Sequence, residues 1–145
     1  MNRGIYCLIL ENASCTLTVG ALGPVSFRQG WHVYVGSAGG PGGLLRVARH
    51  IRYSGIAAHS PRWHIDYLLS NSHFHLVSAV CAYSGSDMEC RLAESIRAPS
   101  IFHFGSSDCS CPSHLFYYED FPEEKIIEAY EKMGLFVIIQ NIKKV

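Results

Sequence analysis

The sequence predicts one α/β domain, a small central sheet flanked by helices and carrying an inserted β-hairpin. Three observations predict it. Apolar, β-branched and aromatic residues gather in runs at 4–10, 31–36 and 73–83, each bounded by Gly or polar residues, as strands are. Helical spacing follows at 44–52, 88–96 and 122–133. Two short runs at 15–19 and 25–28 flank Gly20-Ala21-Leu22-Gly23-Pro24, which has the composition of a hairpin turn. With 145 residues, 48% of them apolar, residues 1–145 are read as a single domain with a full core.

In chain order, residues 4–10 form the first strand, expected at the centre of the sheet. Residues 11–30 are an excursion, read as a decorated sheet edge, with a flap beside a substrate groove as the alternative. Trp31–Gly36 returns to the sheet. The loop Gly39-Gly40-Pro41-Gly42-Gly43 precedes a helix start, where backbone amides attract anions. No Gly-Lys-Ser/Thr follows, so it reads as a connector and not a nucleotide loop. On the next helix, 44–52, Arg46 and Arg49 share a face. Residues 54–61 read as a loop and 63–69 as a short helix capped by Asp66 or His64. After the 73–83 strand, Ser84–Asp87 caps the 88–96 helix. Ile101–Phe104 reads as a short extended piece and Leu115–Tyr118 as a strand. Residues 119–145 supply a C-terminal helix and strand. Pro122 opens that helix, Ile126, Ile127, Tyr130 and Met133 form its apolar face, and Gly134 ends it. Residues 136–139 are the closing strand.

Charge and composition narrow the function classes. Net charge is zero, which argues against a generally basic nucleic-acid binder. The distribution is uneven, however. No acid occurs between residues 12 and 65, while Arg46, Arg49, Arg52 and Arg62 do, and the acids gather at 119–131. A local arginine patch binds phosphates on a neutral protein, because guanidinium matches phosphate bidentately. No apolar stretch is long enough to span a membrane, and the N-terminus lacks the apolar core of a signal peptide. The expected compartment is the cytoplasm. The six cysteines are expected as reduced thiols, since a core of this size needs no disulfide scaffold.

Three groups of residues carry chemistry. Tyr6 and Tyr34, on neighbouring strands, face Arg46 and Arg49 on the next helix, which makes a phosphodiester site. Glu89 opens a helix, where its carboxylate either complements the helix dipole or binds a hard divalent cation. Cys109, Cys111 and His114 have the chemistry of Zn²⁺ ligands, with a fourth from His50, His64 or His103. The competing reading of that cluster is a tight turn that sets Ser113 or His114 near the catalytic face. His64 reads either as a satisfied histidine against the core or as a phosphate contact.

Gly4-Ile5-Tyr6 and Tyr34-Val35-Gly36, followed by Arg46 and Glu89, resemble the GIY-YIG nuclease superfamily. Trp63–Leu69, Glu89–Ala93 and Gly105–Phe116, with its Cys-x-Cys-Pro-Ser-His string, are similar to one small prokaryotic branch of it. The resemblance spans 4–118. The gap between the tripeptides is longer than usual, and Ser37 stands where repair-incision members often carry lysine. The resemblance implies a small central, largely antiparallel sheet flanked by helices, and a metal-dependent DNA endonuclease. It makes Tyr6 the general base, Tyr34 the residue that positions water or phosphate, and Arg46, with Arg49 as rival, the phosphoryl ligand. Glu89 would hold Mg²⁺ or Mn²⁺. Gly36, Ser37, His50, Arg52 and His64 would lie on the substrate side. A free phenol near pKa 10 is a weak base at neutral pH, and the arginines are expected to lower that value. The alternative function is a non-catalytic nucleic-acid- or partner-binding module on the same scaffold.

Overall fold

A computed structural model of the chain describes residues 3–38, 45–54, 61, 63–84, 88–106 and 111–142, the side chain of Tyr53 apart. The loop at 39–43, Arg62, residues 85–87 of the expected cap, most of the 54–61 loop and Cys109 therefore lie outside the described residues.

Among the described residues the elements are β1 (Gly4–Asn12), β2 (Cys15–Thr18), β3 (Pro24–Phe27), β4 (Gly30–Ser37), α1 (Leu45–Tyr53), α2 (His64–Leu69), β5 (Phe74–Tyr83), α3 (Met88–Ser95), β6 (Leu115–Tyr118), α4 (Glu123–Lys132) and β7 (Ile138–Asn141). The main sheet has five strands in the order β6-β4-β1-β5-β7, and every neighbouring pair is antiparallel. The fold is mixed α/β.

β1 is the central strand because both of its faces are apolar. Tyr6, Leu8 and Leu10 point to one side, Ile5, Cys7 and Ile9 to the other, and none is more than 2% exposed. A strand buried on both faces reads as a continuous apolar run, not an alternating one. On the first side, Val47 of α1 and Ile65, Leu68 and Leu69 of α2 complete the core. On the second, Leu92 and Ala93 of α3 join Ile126 and Tyr130 of α4. The sheet is thus a partition with two helices on each face. Tyr130 ties α4 to the sheet, its hydroxyl donating to the Val80 carbonyl at 2.8 Å.

Three details differ from the sequence reading. First, β2 and β3 pair only with each other, from Cys15↔Phe27 to Thr18↔Pro24. Cys15, Leu17 and Val25 pack on the α2-side core while Thr16 and Ser26 join hydroxyls outward at 3.1 Å, so the excursion covers a face instead of decorating an edge. Second, residues 101–105 are a turn and not an extended piece. His103 is left-handed (φ 60°), held there by its N–H on the Pro112 carbonyl at 2.9 Å, while the Phe104 N–H closes the turn on the Ile101 carbonyl at 3.1 Å. Third, the last strand begins at Ile138. Gly134 (φ 74°) turns the chain off α4, the Leu135 N–H returns to the Tyr130 carbonyl, and Phe136 stands 94% exposed before pairing resumes. The expected cap of α2 is present, with the Asp66 carboxylate accepting the Trp63 N–H at 3.1 Å. Among the described residues no helix is long and apolar enough to cross a membrane.

Candidate active site

The site begins with strand register. β1 and β4 align Tyr6 with Gly36 and Leu8 with Tyr34, so both tyrosines project from the α1–α2 face of the sheet. The Tyr6 ring lies directly over Gly36. A Cβ at position 36 would collide with the hydroxyl end of that ring, so the third residue of Tyr34-Val35-Gly36 is dictated by the third residue of Gly4-Ile5-Tyr6. The two phenol rings are 6.4 Å apart between centroids and tilted by 50°.

α1 crosses above them. Its apolar Val47 faces the sheet, and Arg46 and His50, one helical turn apart, flank the Tyr6 hydroxyl. The Tyr6 hydroxyl and His50 Nε2 are 3.0 Å apart, in a buried hydrogen bond. Arg46 donates to the Ser37 carbonyl at 2.7 Å, which anchors the start of α1 to the end of β4. The Trp63 ring stacks beneath both guanidiniums, 5.2 Å from Arg46 and 5.6 Å from Arg49, a cation–π arrangement that holds two positive charges side by side. Arg49 and Arg52 are exposed, whereas Arg46 is half-buried against Tyr6.

Burial sets the protonation states. Desolvation pushes the Tyr6 hydroxyl well above its ordinary 10, with Tyr34 and Glu89 adding to the rise; Arg46 pulls the other way and is outweighed. The expectation that the arginines lower the Tyr6 value is therefore corrected: a buried phenolate loses more hydration than one neighbouring guanidinium restores. Burial also lowers His50 to about 4, with Arg46 and Arg49 pushing it down further and Asp66 opposing them. At neutral pH the pair is phenol and neutral imidazole.

Tyr34 forms the opposite wall. Phe104 meets its ring edge-on at 6.2 Å, and Gly105 (φ 70°) passes so close that a Cβ there would lie 2.8 Å from the Tyr34 ring. The Gly105 N–H donates to His64 Nδ1 at 2.8 Å. His64 is thus a brace for the turn behind Tyr34, and burial lowers its pKa.

Glu89 lies in the first turn of α3, and its charge reaches Tyr6. Its carboxylate is half-buried, 3.5 Å from His114 Nδ1. A single carboxylate of this kind suits Mg²⁺ or Mn²⁺, which retain water and take only one or two protein oxygens. Cys111 and His114 are buried nearby, with Cys90 beside them; Cys109 is outside the described residues. Ser113 is occupied locally, its hydroxyl accepting the Leu115 N–H at 3.0 Å.

The structure therefore brings together Tyr6, Tyr34, Gly36, Ser37, Arg46, His50 and Glu89, with Arg49 and Arg52 farther out and His64 behind the wall. Three participants escaped the sequence reading in their actual roles. His50 is the partner of Tyr6, a role signalled only by its i+4 spacing from Arg46. Trp63 is the platform for the arginines. Cys90 joins Cys111 and His114 from across the fold.

The family described as Domain of unknown function DUF123 matches residues 5–135. The chain belongs to the DUF123 family. The match runs from β1 to just beyond α4, so every residue of the site falls within the DUF123 domain and β7 falls after it. No curated protein and no solved structure matches the chain.

Two predictions test this geometry in the DUF123 chain. Gly36→Ala should lower stability by about 1–3 kcal/mol, as overpacking does, and break the Tyr6–His50 contact, as read by chemical denaturation and by NMR of the two rings. Wild-type stability with an intact contact contradicts it. The second concerns pH. His50 and His32 are both neutral when folded, each lowered by burial from 6.5 to about 4. Unfolding lets them take up protons, so stability should be full above about pH 6.5 and fall as the pH drops toward 4. Thermal melts across that range should show the fall, and replacing both histidines by Gln should shrink it to the part that His64 contributes.

Proposed function

We propose that this chain is a metal-dependent endonuclease that hydrolyses DNA phosphodiester bonds at the Tyr6–Arg46 face. The observation that carries the reading is the buried Tyr6 hydroxyl on neutral His50, beside the Arg46 guanidinium and within reach of the Glu89 charge. A phenol held above its ordinary pKa is a poor lone base. Paired with an imidazole it is a relay: the attacking water gives a proton to the Tyr6 oxygen as the Tyr6 proton passes to His50 Nε2. The resulting imidazolium is stabilised by the phosphate charge that Arg46 and Arg49 bring to the site. Those guanidiniums hold His50 low, and a bound phosphodiester offsets their effect on it.

Arg46 binds the non-bridging phosphoryl oxygens, whose charge grows in the transition state. Its bond to the Ser37 carbonyl and its stacking on Trp63 fix the guanidinium before substrate arrives. Tyr34, braced by Phe104 and Gly105, orients the water or the phosphate. Arg49 and Arg52, exposed on α1, hold flanking phosphates. Glu89 would hold Mg²⁺ or Mn²⁺, which supplies neutralising charge at the leaving oxygen. The order of Gly4-Ile5-Tyr6, Tyr34-Val35-Gly36, Arg46 and Glu89 supports the same reading through its resemblance to the GIY-YIG superfamily.

The test is cleavage of single-stranded, duplex, flap and branched DNA with Mg²⁺ present. Turnover should fall roughly 100-fold or more in Tyr6→Phe and in His50→Ala, the usual weight of acid–base catalysis, and Glu89→Gln should abolish the metal-dependent reaction. Arg46→Ala should weaken both binding and turnover, Arg49→Ala binding more than turnover. Wild-type turnover in Tyr6→Phe removes the relay. If no DNA is cut but Arg46→Ala loses DNA affinity, the protein is a binding module on this scaffold.

A further inference from the structure

A second cluster of reactive side chains lies beside the first. The ligand atoms of Cys90, Cys111 and His114 all fall within 4.8 Å of one another. Cys90 comes from the first turns of α3, while Cys111 and His114 come from the segment leading into β6. That segment is framed by its own backbone. The His114 N–H donates to the Phe104 carbonyl at 2.8 Å, the Val35 N–H donates to the His114 carbonyl at 2.8 Å, and the Pro112 carbonyl accepts the His103 N–H at 2.9 Å. Two of the three donors are therefore positioned by the sheet edge and its adjoining turn, and the third by a helix packed on the opposite face from Tyr6. Cys90 and Cys111 are thiols, not a disulfide.

We propose that Cys90, Cys111 and His114 bind Zn²⁺. Tetrahedral zinc places sulfur and nitrogen donors about 3.5–3.8 Å apart, given bond lengths of about 2.3 Å to sulfur and 2.0–2.1 Å to nitrogen. In the cluster every pair of ligand atoms lies within 4.8 Å, close to that spacing. Two thiolates and one imidazole form a soft donor set that selects zinc over Mg²⁺ or Mn²⁺, so this site and the Glu89 carboxylate would sort different ions. Binding releases the two thiol protons to solvent, with no change of oxidation state. Among the described residues these three supply the ligands. Glu89, 3.5 Å from His114 Nδ1, stands where a carboxylate orients a ligating histidine. The ion would tie the start of α3 to the β4–β6 edge and so fix the backbone that carries Glu89. The set differs from the cluster read in the sequence, Cys109, Cys111 and His114, by taking Cys90 from α3. It does not rest on the nuclease reading.

The test is metal content of the full chain, purified under reducing conditions, with Co²⁺ titration as an optical probe. One zinc per chain is expected, with Co²⁺ giving the absorption of a tetrahedral thiolate site. Cys90→Ser should lose both signals, as should Cys111→Ser and His114→Ala, while Cys15→Ser should keep them. Cys90 is only half-buried, so its serine variant should remain folded by circular dichroism. A wild-type chain that takes up neither Zn²⁺ nor Co²⁺ overturns the proposal, as does a Cys90→Ser variant that retains full zinc. A Cys90–Cys111 disulfide with no bound metal in the reduced preparation overturns it too. None of these readouts depends on cleavage activity.

Discussion

The absence of a side chain at position 36 is the constraint on which the site depends. The Tyr6 ring occupies the space that any Cβ on the facing strand would fill. From there its hydroxyl meets His50 Nε2 at 3.0 Å. A one-residue slip between β1 and β4 would turn Tyr6 to the α3–α4 face and leave Arg46 and His50 without a phenol. Register is pinned by burial: Ile5, Cys7 and Ile9 on one face and Leu8 and Leu10 on the other are fully enclosed, so any slip would exchange two packed sets. The same residues that make β1 the centre of the core thus aim the hydroxyl.

Burial also decides the chemistry. In water a tyrosine beside an arginine would ionise more readily, because charge attracts charge. Here the loss of hydration outweighs that attraction, and the phenol keeps its proton while the imidazole stays neutral. The positive charge is therefore carried by guanidiniums alone, held over Trp63 and against the Ser37 carbonyl. The two faces of the sheet divide the work. α1 carries the phenol's partners, while α3 brings Glu89 and Cys90 round the β4–β6 edge to meet His114.

Much of this architecture was legible in the residues. Continuous apolar runs marked β1, β4 and β5, and the doubly apolar character of 4–10 put it at the centre. The spacing of Ile126, Tyr130 and Gly134 marked α4 and its end. What was not legible depended on distant partners. His103 adopts its left-handed turn because Pro112 accepts its N–H. The hairpin lies on a face because Leu17 and Val25 find apolar neighbours there. The direction of the Tyr6 shift is a property of burial, which spacing does not encode. Nothing in the sequence around Cys90 marks it as a ligand: its neighbours are helical, and Cys111 and His114 reach it only through the fold.

The most direct measurement is the protonation of His50 itself, read by nitrogen-15 NMR of the imidazole across a pH titration. The account predicts an unprotonated Nε2 that accepts the Tyr6 proton, a ring that remains neutral until about pH 4, and a shift of the Nε2 signal in Tyr6→Phe. A His50 that titrates near its ordinary 6.5, or an Nε2 signal indifferent to the Tyr6 hydroxyl, would contradict it.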